Sequence, residues 1–405
     1  MNRKILYLII GIVILNINNV TAQQSDDYDQ VLGQELNAIT TGVPFLMIAP
    51  DSRSGAMGDA GVSLSPDGYS QHWNSSKLAF INDPVGVTIS YTPWLKKLVA
   101  DMSLAYVAGY YKLDKNQTLG AGLRYFSMGE ILFTDENGDP IGNYSPHEFA
   151  FDLSYNRKLS DHFSMGIVGR YIYSNLTGGQ SEGSEAGKSV AMDINGYYVN
   201  KLKISDYKGT WAAGFNISNI GAKIGYTEQE KNFIPTNLRL GGSMTLDFDD
   251  YNSMTATLDI NKLLVPTPPV YFSEGEEMPD GSISEGGNDP ENIKAGKDPN
   301  VSVAQGMIQS FYDAPRGFDE EMEEISYAVG LEYWYAKQFA IRGGYFHENQ
   351  YKGNRKYFTA GIGLKMNVFG LDFSYLIPAG SFNNSPLSNT WRFSLIFDIA
   401  GFKKQ

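Results

Sequence analysis

The segment WRFSLIFDI, residues 391–399, alternates apolar with mostly polar residues along its length. The apolar positions are Trp391, Phe393, Leu395, Phe397 and Ile399. Successive side chains of a β-strand point to opposite faces, so this period of two predicts a strand with one apolar and one largely polar face. Such a strand belongs to a sheet that separates an apolar environment from a polar one.

The same period recurs from Val85 onward and predicts an all-β fold. Most of the segments are near ten residues long, which is the length that a tilted strand needs to cross a bilayer. The predicted strands, fourteen in number, are 85–91, 101–112, 118–128, 148–157, 163–173, 190–200, 210–218, 237–247, 251–260, 326–335, 339–347, 356–367, 370–377 and 391–399.

The connections between these strands alternate between long and short. The long ones include 129–147, 174–189, 219–236, 261–325 and 378–390, and the short ones include 113–117, 158–162, 248–250, 336–338 and 368–369. Outer-membrane barrels have long extracellular loops and short periplasmic turns, so the pattern predicts an antiparallel transmembrane β-barrel over residues 85–405, in the bacterial outer membrane. A soluble protein with several sheets stays open as an alternative, because half-buried antiparallel sheets also alternate.

The N-terminus predicts export. Arg3 and Lys4 precede an apolar run of about a dozen residues, and the small residue Ala22 closes the segment before Gln23. We therefore expect a signal peptide over residues 1–22. A membrane anchor is the alternative, although the run is short for a bilayer.

Composition excludes several functions. A net charge of −13 leaves no basic face for nucleic acid, and the absence of cysteine removes thiolate chemistry. The four histidines have no ligand-like spacing, and DENGDP at residues 135–140 is better explained as a turn than as a calcium loop. We expect no metal, no cofactor and no enzymatic activity; a lipid hydrolase built around His347 and Glu348 is the weaker alternative.

Residues 23–84 precede the first strand and lack sustained alternation. Small residues in RSGAMGDAGVS, residues 53–63, suit close contact with a barrel wall, so we expect this segment to be a plug, or hatch, within the lumen. Asn74 or Ser75 is expected to cap a short helix over 77–80, and Trp73 to anchor it against the wall. The residues expected to matter are Arg53, Asp59, Trp73 and Asn74. A periplasmic subdomain or flexible arm is the alternative.

The small-residue stretch followed by HWNSSKLAF, ahead of fourteen strands, resembles the FadL-like outer-membrane family, whose hatch ends in Asn-Pro-Ala. Asn74 matches that motif, but Ser75 and Ser76 replace its proline and alanine, which removes support for a fatty-acid gating role. The segments TTGVPFLMIAPDSRSGAMGDAGVS, WNSSKLAFIND, GVTISYTPWL and LRYFSMGEI more narrowly resemble the FadL-like barrels of the type IX secretion system of Bacteroidetes.

That resemblance implies a role without catalysis. Such barrels bind the C-terminal signal domain of secreted cargo, dock on the SprA translocon barrel, and pass cargo to the attachment complex that contains the sortase-like PorU. Uptake of long-chain fatty acids or other hydrophobic molecules, as in other FadL-like barrels, is the alternative.

Loop 261–325 is acidic, and its middle is rich in Gly, Pro and Ser, so we expect that middle to be mobile or partly ordered. Apolar residues near its ends and in the other loops can pack on a partner or on neighbouring loops. The expected cargo or partner contacts are Trp94, Leu95, Phe133, Tyr226, Phe233, Ile234, Tyr271, Phe272, Phe311, Tyr312 and Phe382.

Overall fold

The computed structural model describes residues 36–99, 101–134, 137–178, 183–227, 230–380 and 385–398. The expected signal peptide, Phe382 and Ile399 lie outside these ranges. No helix in the described ranges is both long and apolar enough to cross a bilayer.

The chain forms a closed barrel of fourteen antiparallel strands in sequence order, and the first strand pairs with the last along Gly86–Tyr91. This confirms the fourteen-stranded barrel predicted from the period of two. The strands are β1 Val85–Pro93, β2 Ser103–Lys112, β3 Gln117–Ser127, β4 His147–Lys158, β5 Phe163–Asn175, β6 Gly187–Ile204, β7 Tyr207–Gly221, β8 Asn237–Asp247, β9 Asn252–Leu263, β10 Ser326–Tyr335, β11 Phe339–His347, β12 Lys356–Lys365, β13 Phe369–Pro378 and β14 Trp391–Asp398.

Strands β6 and β7 are longer than their sequence patterns suggest. They are joined by a two-residue turn at 205–206, where Ser205 takes a positive φ of 55°. The pairing register shifts between Met192 and Ile194, where two residues of β7, Ser218 and Asn219, lie opposite the single residue Asp193. The alternation of β7 therefore breaks at a bulge. Asp193 is held by the guanidinium of Arg170 at 3.0 Å. The bulge explains why the pattern ended β7 at residue 218.

The outer and inner faces of the barrel differ in polarity, as the pattern of residues 391–399 predicts. In β14, Trp391 and Phe393 are exposed, whereas Arg392 and Ser394 are buried. The outer face is apolar in nearly every strand, and the inner face carries buried polar and charged side chains. Apolar residues outside and polar residues inside are the arrangement of an outer-membrane barrel.

Long connections lie at one end of the barrel and short turns at the other. We call these the long-loop end, with connections 94–102, 128–146, 176–186, 222–236, 264–325, 348–355 and 379–390, and the short-turn end, with connections 113–116, 159–162, 205–206, 248–251, 336–338 and 366–368. Hairpins in the long loops are Ile131–Thr134 with Pro140–Tyr144, Ile224–Gly225 with Lys231–Asn232, and Val270–Tyr271 with Ile293–Ala295.

The longest connection is more ordered than its composition suggests. Besides its hairpin it contains a 3-10 turn, Pro290–Asn292, and two α-helices, α1 Val303–Gln309 and α2 Phe318–Glu323. The Asn292 amide donates to the Phe272 and Gly287 carbonyls at 3.1 and 2.8 Å, which closes the polar middle of the loop on itself. Residues 273–289 consist of turns and irregular chain with one isolated bridge, Glu277 to Ile283, so the expectation of a mobile or partly ordered middle stays a prediction.

Residues 36–84, here called the N-terminal segment, precede β1 and contact strands all around the barrel. The Gly42 N–H donates to the Phe233 carbonyl at the long-loop end, and Lys112 Nζ donates to the Ile81 carbonyl near the short-turn end. The segment thus passes along the inner face from one end to the other. Its helical turns are Pro44–Met47, Ser52–Gly55, Ser70–Trp73 and Ser75–Phe80.

Gly58 marks the closest approach of this segment to the wall. It has a φ of 72°, and a Cβ there would lie 2.6 Å from the Tyr345 carbonyl oxygen of β11. We expect Gly58→Ala to destabilise the packed segment by about 1–3 kcal/mol, because strain and overpacking act together. Faster hydrogen exchange of peptides covering residues 51–64 would show this.

The matched control is Gly242→Ala, because nothing lies within 4 Å of a Cβ at that outward-facing position. Equal exchange rates in wild type and Gly58→Ala would contradict the close packing.

Candidate functional site

A chain of buried charges ties the N-terminal segment to the wall. The Arg53 guanidinium bonds both oxygens of Glu332 in β10, at 3.0 and 2.9 Å, and Asp67 of its own segment at 2.8 Å. Glu332 also accepts from Arg342 at 2.7 Å, and Arg342 bonds Asp372. Five alternating charges therefore cross from the segment to β13, and each has an opposite charge beside it.

Asp59 makes a second connection to the wall. Its carboxylate accepts a hydrogen bond from the Tyr357 hydroxyl of β12 and lies 3.3 Å from Arg392 of β14. Asp59 takes a positive φ of 65°, a conformation that a short polar residue tolerates better than most. Arg53 and Asp59 thus hold the segment at two separate places.

The side chain of Trp73 contacts both its own segment and the wall. Its indole donates to Asp51 at 2.6 Å, and its ring lies 4.8 Å from the guanidinium carbon of Arg239 in β8. Its backbone carbonyl accepts a hydrogen bond from Asn216 of β7.

Asn74 is placed differently from the sequence-based expectation. The Asn74 side chain does not cap the turn that follows. Its amide instead donates to the Val62 and Gly196 carbonyls, so it joins the segment to β6.

At the long-loop end, buried ion pairs hold the longest loop down. Lys262 of β9 lies 2.9 Å from Glu321 and 2.6 Å from Glu324. Lys352, from the loop 348–355, lies 2.6 Å from Glu320 and 3.1 Å from Glu324. We call these five residues the loop latch. Asn37 of the N-terminal segment also donates to Glu320, at 2.9 Å, so the latch joins the loop, the barrel rim and the segment.

Helix α2 has its polar face buried and its apolar face exposed. Glu320, Glu321 and the flanking Glu324 point toward the latch lysines, while Phe318 is 74% exposed and Met322 41% exposed. Ordinary surface helices show the opposite arrangement. Nearby exposed side chains complete what we call the outer loop surface: Ile308, Phe311, Tyr312, Phe318 and Met322.

Asp313 makes the stability of this loop depend on pH. Burial raises the pKa of its carboxyl to about 6, and Glu321 adds repulsion, although the Thr267 N–H donates to it. Because the pKa is higher in the folded loop than in the unfolded loop, the Asp313 carboxyl is protonated in the folded loop and ionised in the unfolded loop at pH values between the two pKa values. Between about pH 4 and pH 6 the loop therefore gains stability as the pH falls.

We expect proteolysis within residues 264–325 to slow as the pH falls from about 7 to about 5, and Asp313→Asn to remove most of that dependence. Asp280→Asn is the control, because the pKa of that exposed loop acid is lowered by a bond from Ser282 and does not titrate in this window. The pKa of Glu320 is also lowered, since Lys352 and other donors outweigh its burial. A pH dependence that survives Asp313→Asn would contradict the assignment.

The predicted contact residues have different surroundings. Phe311 and Tyr312 are exposed on the outer loop surface. Leu95, Tyr226, Phe233, Tyr271 and Phe272 are half-buried in long loops, and the backbone of Phe133 lies in the hairpin strand Ile131–Thr134. Trp94 packs half-buried against the cluster around Phe45 and Leu46. Ile234 is 1% exposed inside that cluster and cannot meet a partner in this conformation, so its assignment as a contact was wrong.

The lumen contains an inner cavity and a mouth cavity. The inner cavity, of about 340 Å³, lies toward the short-turn end and is lined by charged residues that include Arg53, Asp67, Glu332, Arg342 and Asp372. The mouth cavity, of about 320 Å³, lies under the loop latch and is lined by Arg239, Trp73, Lys352, Arg355, Glu348 and apolar side chains. No group of three or more His, Asp or Glu residues in the described ranges has metal-binding geometry.

Comparison with known families decides the identity of the barrel. Residues 31–270 match the family model described as "Type IX secretion system protein PorV". The chain belongs to the PorV family. It is thus an outer-membrane β-barrel of the type IX secretion system, and its family is one of secretion components and not a class of enzymes. In outer-membrane barrels the long loops are typically extracellular and the short turns periplasmic.

No curated protein matches the chain in sequence. Two solved barrels with a similar outline are toluene transporters. TbuX of Ralstonia pickettii has 11% identity and a TM-score of 0.41, with 85% of this chain and 96% of TbuX covered. TodX of Pseudomonas putida has 10% identity and a TM-score of 0.41, with 89% of this chain and 98% of TodX covered. A Pseudomonas aeruginosa FadL homologue has 11% identity, a TM-score of 0.39 and coverages of 89% and 99%. Scores this low support no argument about this PorV-family chain.

Sequence reasoning missed the latch and Arg239. The latch glutamates lie in the acidic segment FDEEMEEIS, residues 318–326, which reads as solvated chain because its lysine partners are far away in sequence. Arg239 occupies an inner-face position of β8, where any polar residue fits the pattern. The one available signal was a charged residue within a membrane-spanning strand, which is costly without a role or partner.

Proposed function

We propose that this PorV-family barrel receives the C-terminal signal domain of secreted cargo on its long-loop end, next to the SprA translocon barrel, and carries it to the PorU attachment complex. The observation that carries the proposal is the outer loop surface on helix α2. Charged residues that favour water are turned inward, while Phe318 and Met322 face outward. Exposed apolar side chains on a fixed loop provide area for a protein contact.

The chemistry of the surface narrows the partner to a folded domain with an apolar patch and a basic rim. The loop that surrounds the apolar residues carries exposed acids, among them Glu274, Glu277 and Asp280. Complementary charge speeds encounter and selects the partner, while the apolar centre supplies most of the affinity. The loop latch keeps this surface ordered before the partner arrives, which lowers the entropic cost of binding.

We also infer that the N-terminal segment is the plug of this barrel. It is tied to the wall by Arg53, Asp59 and Asn74, and its residues line both the inner cavity and the mouth cavity. A plugged lumen suits a docking platform, because cargo then stays on the outside.

Uptake of hydrophobic molecules is the alternative function. It requires an apolar route through the lumen, whereas the inner cavity is lined by the charge chain that contains Arg53 and Glu332. Charged walls disfavour a passing hydrocarbon. We therefore rank cargo transport first.

The test is purification of the barrel from its native membrane in mild detergent at modest salt, followed by mass spectrometry of proteins and lipids that accompany it. Secreted proteins that share a C-terminal domain, together with a giant barrel or a sortase-like protein, support cargo transport. Bound hydrophobic molecules without any protein partner would contradict cargo transport and support the uptake of hydrophobic molecules instead.

A further inference from the structure

Arg239 is a buried cation without a partner of opposite charge in the described part of the chain. It lies on the inner face of β8 and is 6% exposed. Its guanidinium carbon lies 4.8 Å from the centroid of the Trp73 ring. Nε donates to Asn237 Oδ1 at 3.0 Å once the amide of Asn237 is oriented to suit its neighbours. The two terminal nitrogen atoms make no hydrogen bond within the described residues, and the side chain lines the mouth cavity.

The other inner-face arginines show what is unusual about Arg239. Arg170, Arg342 and Arg392 each form an ion pair with a carboxylate. Arg124 has no carboxylate within ion-pair distance in the described residues, but its two terminal nitrogen atoms contact the Leu46 carbonyl and His72 Nδ1 at 2.7 and 2.5 Å.

The inward acid on the neighbouring strand, Asp259, forms no ion pair with Arg239 within 4 Å; one of its oxygen atoms, Oδ2, accepts from the Gly61 and Val62 N–H groups at 2.7 and 2.9 Å. A buried guanidinium that lacks a carboxylate is costly, and its free fork of donors matches a carboxylate that arrives from outside.

The mouth cavity has the form of a small-ligand site. Its volume of about 320 Å³ is at the lower end of ligand pockets. Its walls combine the Arg239 and Trp73 floor with an apolar set made of Ile39, Pro44, Met47, Leu263 and Phe346. The other cations on its rim are already paired, Lys352 with Glu320 and Glu324, and Arg355 with Glu348 at 2.7 Å.

We propose that Arg239, stacked on Trp73 at the floor of the mouth cavity, binds a carboxylate carried on an apolar chain end. Two sources have this chemistry: the terminal carboxylate of the cargo signal domain, and a free fatty acid. The first source rests on the proposed function, and it makes the mouth cavity the place where the end of the cargo chain is recognised below the outer loop surface. The guanidinium supplies two parallel hydrogen bonds, and the apolar walls cover the adjoining residues.

The test compares purified barrels that carry Arg239→Gln or Lys231→Gln with wild type. Lys231→Gln is the matched control, because it removes one positive charge from an exposed position in the loop that leads into β8. The probes are a cargo signal domain identified by co-purification, the same domain with its C-terminus converted to an amide, and dodecanoate. Loss of heat-modifiable gel mobility identifies any variant that fails to fold. Arg239→Lys is the second variant, which keeps the charge but loses the two-pronged geometry.

We expect Arg239→Gln to lower the affinity for the natural signal domain at least tenfold, and Arg239→Lys to lower it less. The signal domain with an amidated C-terminus is expected to bind the wild-type barrel as weakly as the natural domain binds the Arg239→Gln barrel. If the variants weaken the binding of dodecanoate and leave the affinity for the signal domain unchanged, the carboxylate site is confirmed and its occupant is a fatty acid. If neither probe responds to Arg239→Gln while the domain still binds, the site is overturned and the proposed function survives. If the domain binds no barrel at all, the proposed function fails, and dodecanoate alone then decides the site.

Discussion

Replacing Arg53 by methionine is expected to release the N-terminal segment from the wall at a cost of about 3–5 kcal/mol, the usual cost of removing one partner from a buried ion pair. Glu332 then keeps Arg342 but loses a bidentate partner, and Asp67 loses its only ion pair in the described residues. Methionine fills much of the same space, so the effect measures charge and hydrogen bonding more than volume.

Hydrogen exchange of peptides within residues 51–80 checks this expectation. The predicted cost corresponds to exchange about a hundredfold faster or more, because about 1.4 kcal/mol is a factor of ten. Lys294→Met is the control; its pair with Glu276 is exposed, and such pairs contribute little. Adding Glu332→Gln to Arg53→Met is expected to recover part of the protection by removing an uncompensated charge. Unchanged exchange in Arg53→Met would show that the ion pairs do not hold the segment.

Removing both latch lysines, with Lys262→Met and Lys352→Met together, is expected to detach the longest loop from the barrel rim. Glu321 and Glu324 then remain at the helix α2 contact without a cation, and Glu320 keeps only Arg316, at 3.6 Å. The side chains of Glu320 and Glu324 are almost wholly buried. The cost of burying uncompensated carboxylates exceeds what the remaining loop contacts offset, so the helix moves outward into water. The barrel itself is expected to stay folded, because its strand pairing is untouched.

Cleavage by a glutamate-specific protease reports the release directly, since the cleavage sites Glu320 and Glu321 are buried in the latched loop. We expect rapid cleavage after Glu320 and Glu321 in the double variant. Cleavage at these two sites is expected to be slow in wild type and in the control Lys365→Met, whose exposed pair with Asp398 lies at the short-turn end. Mass spectrometry of the fragments separates these sites from the exposed Glu274 and Glu277, which are open to the protease in all three proteins. Binding of cargo is expected to weaken in parallel. Wild-type cleavage rates in the double variant would contradict the latch.

The strands were predictable from sequence because their pattern is local. A membrane-spanning strand with one lipid face and one polar face must alternate, and WRFSLIFDI shows this in nine residues. The end of β7 was not predicted, because one extra residue at Ser218 and Asn219 reverses the alternation that identifies a strand. Helix α2 and the hairpin of the longest loop were not predicted for another reason. Their packing partners are polar, so no apolar period in the sequence marks them.

The contacts inside the barrel could not be read in the same way. Arg53 and Glu332 are separated by 279 residues, and no local pattern links them. Asn74 was expected to cap a turn because asparagine does so frequently. In the fold, its side-chain amide instead donates a hydrogen bond to the Gly196 carbonyl of β6. The sequence supported Arg53 and Asp59 as members of the segment; only the fold gave them partners.

The outer loop surface and its proposed cargo are tested most directly by one affinity measurement. A purified cargo signal domain is titrated against the detergent-solubilised barrel and against a variant with Phe311→Ser and Phe318→Ser, both exposed changes on the loop surface. Because exposed apolar anchors carry most of the energy of such contacts, we predict saturable binding to wild type and a loss of at least tenfold in the variant. Equal affinity for the two barrels, or no binding to either, would contradict the account.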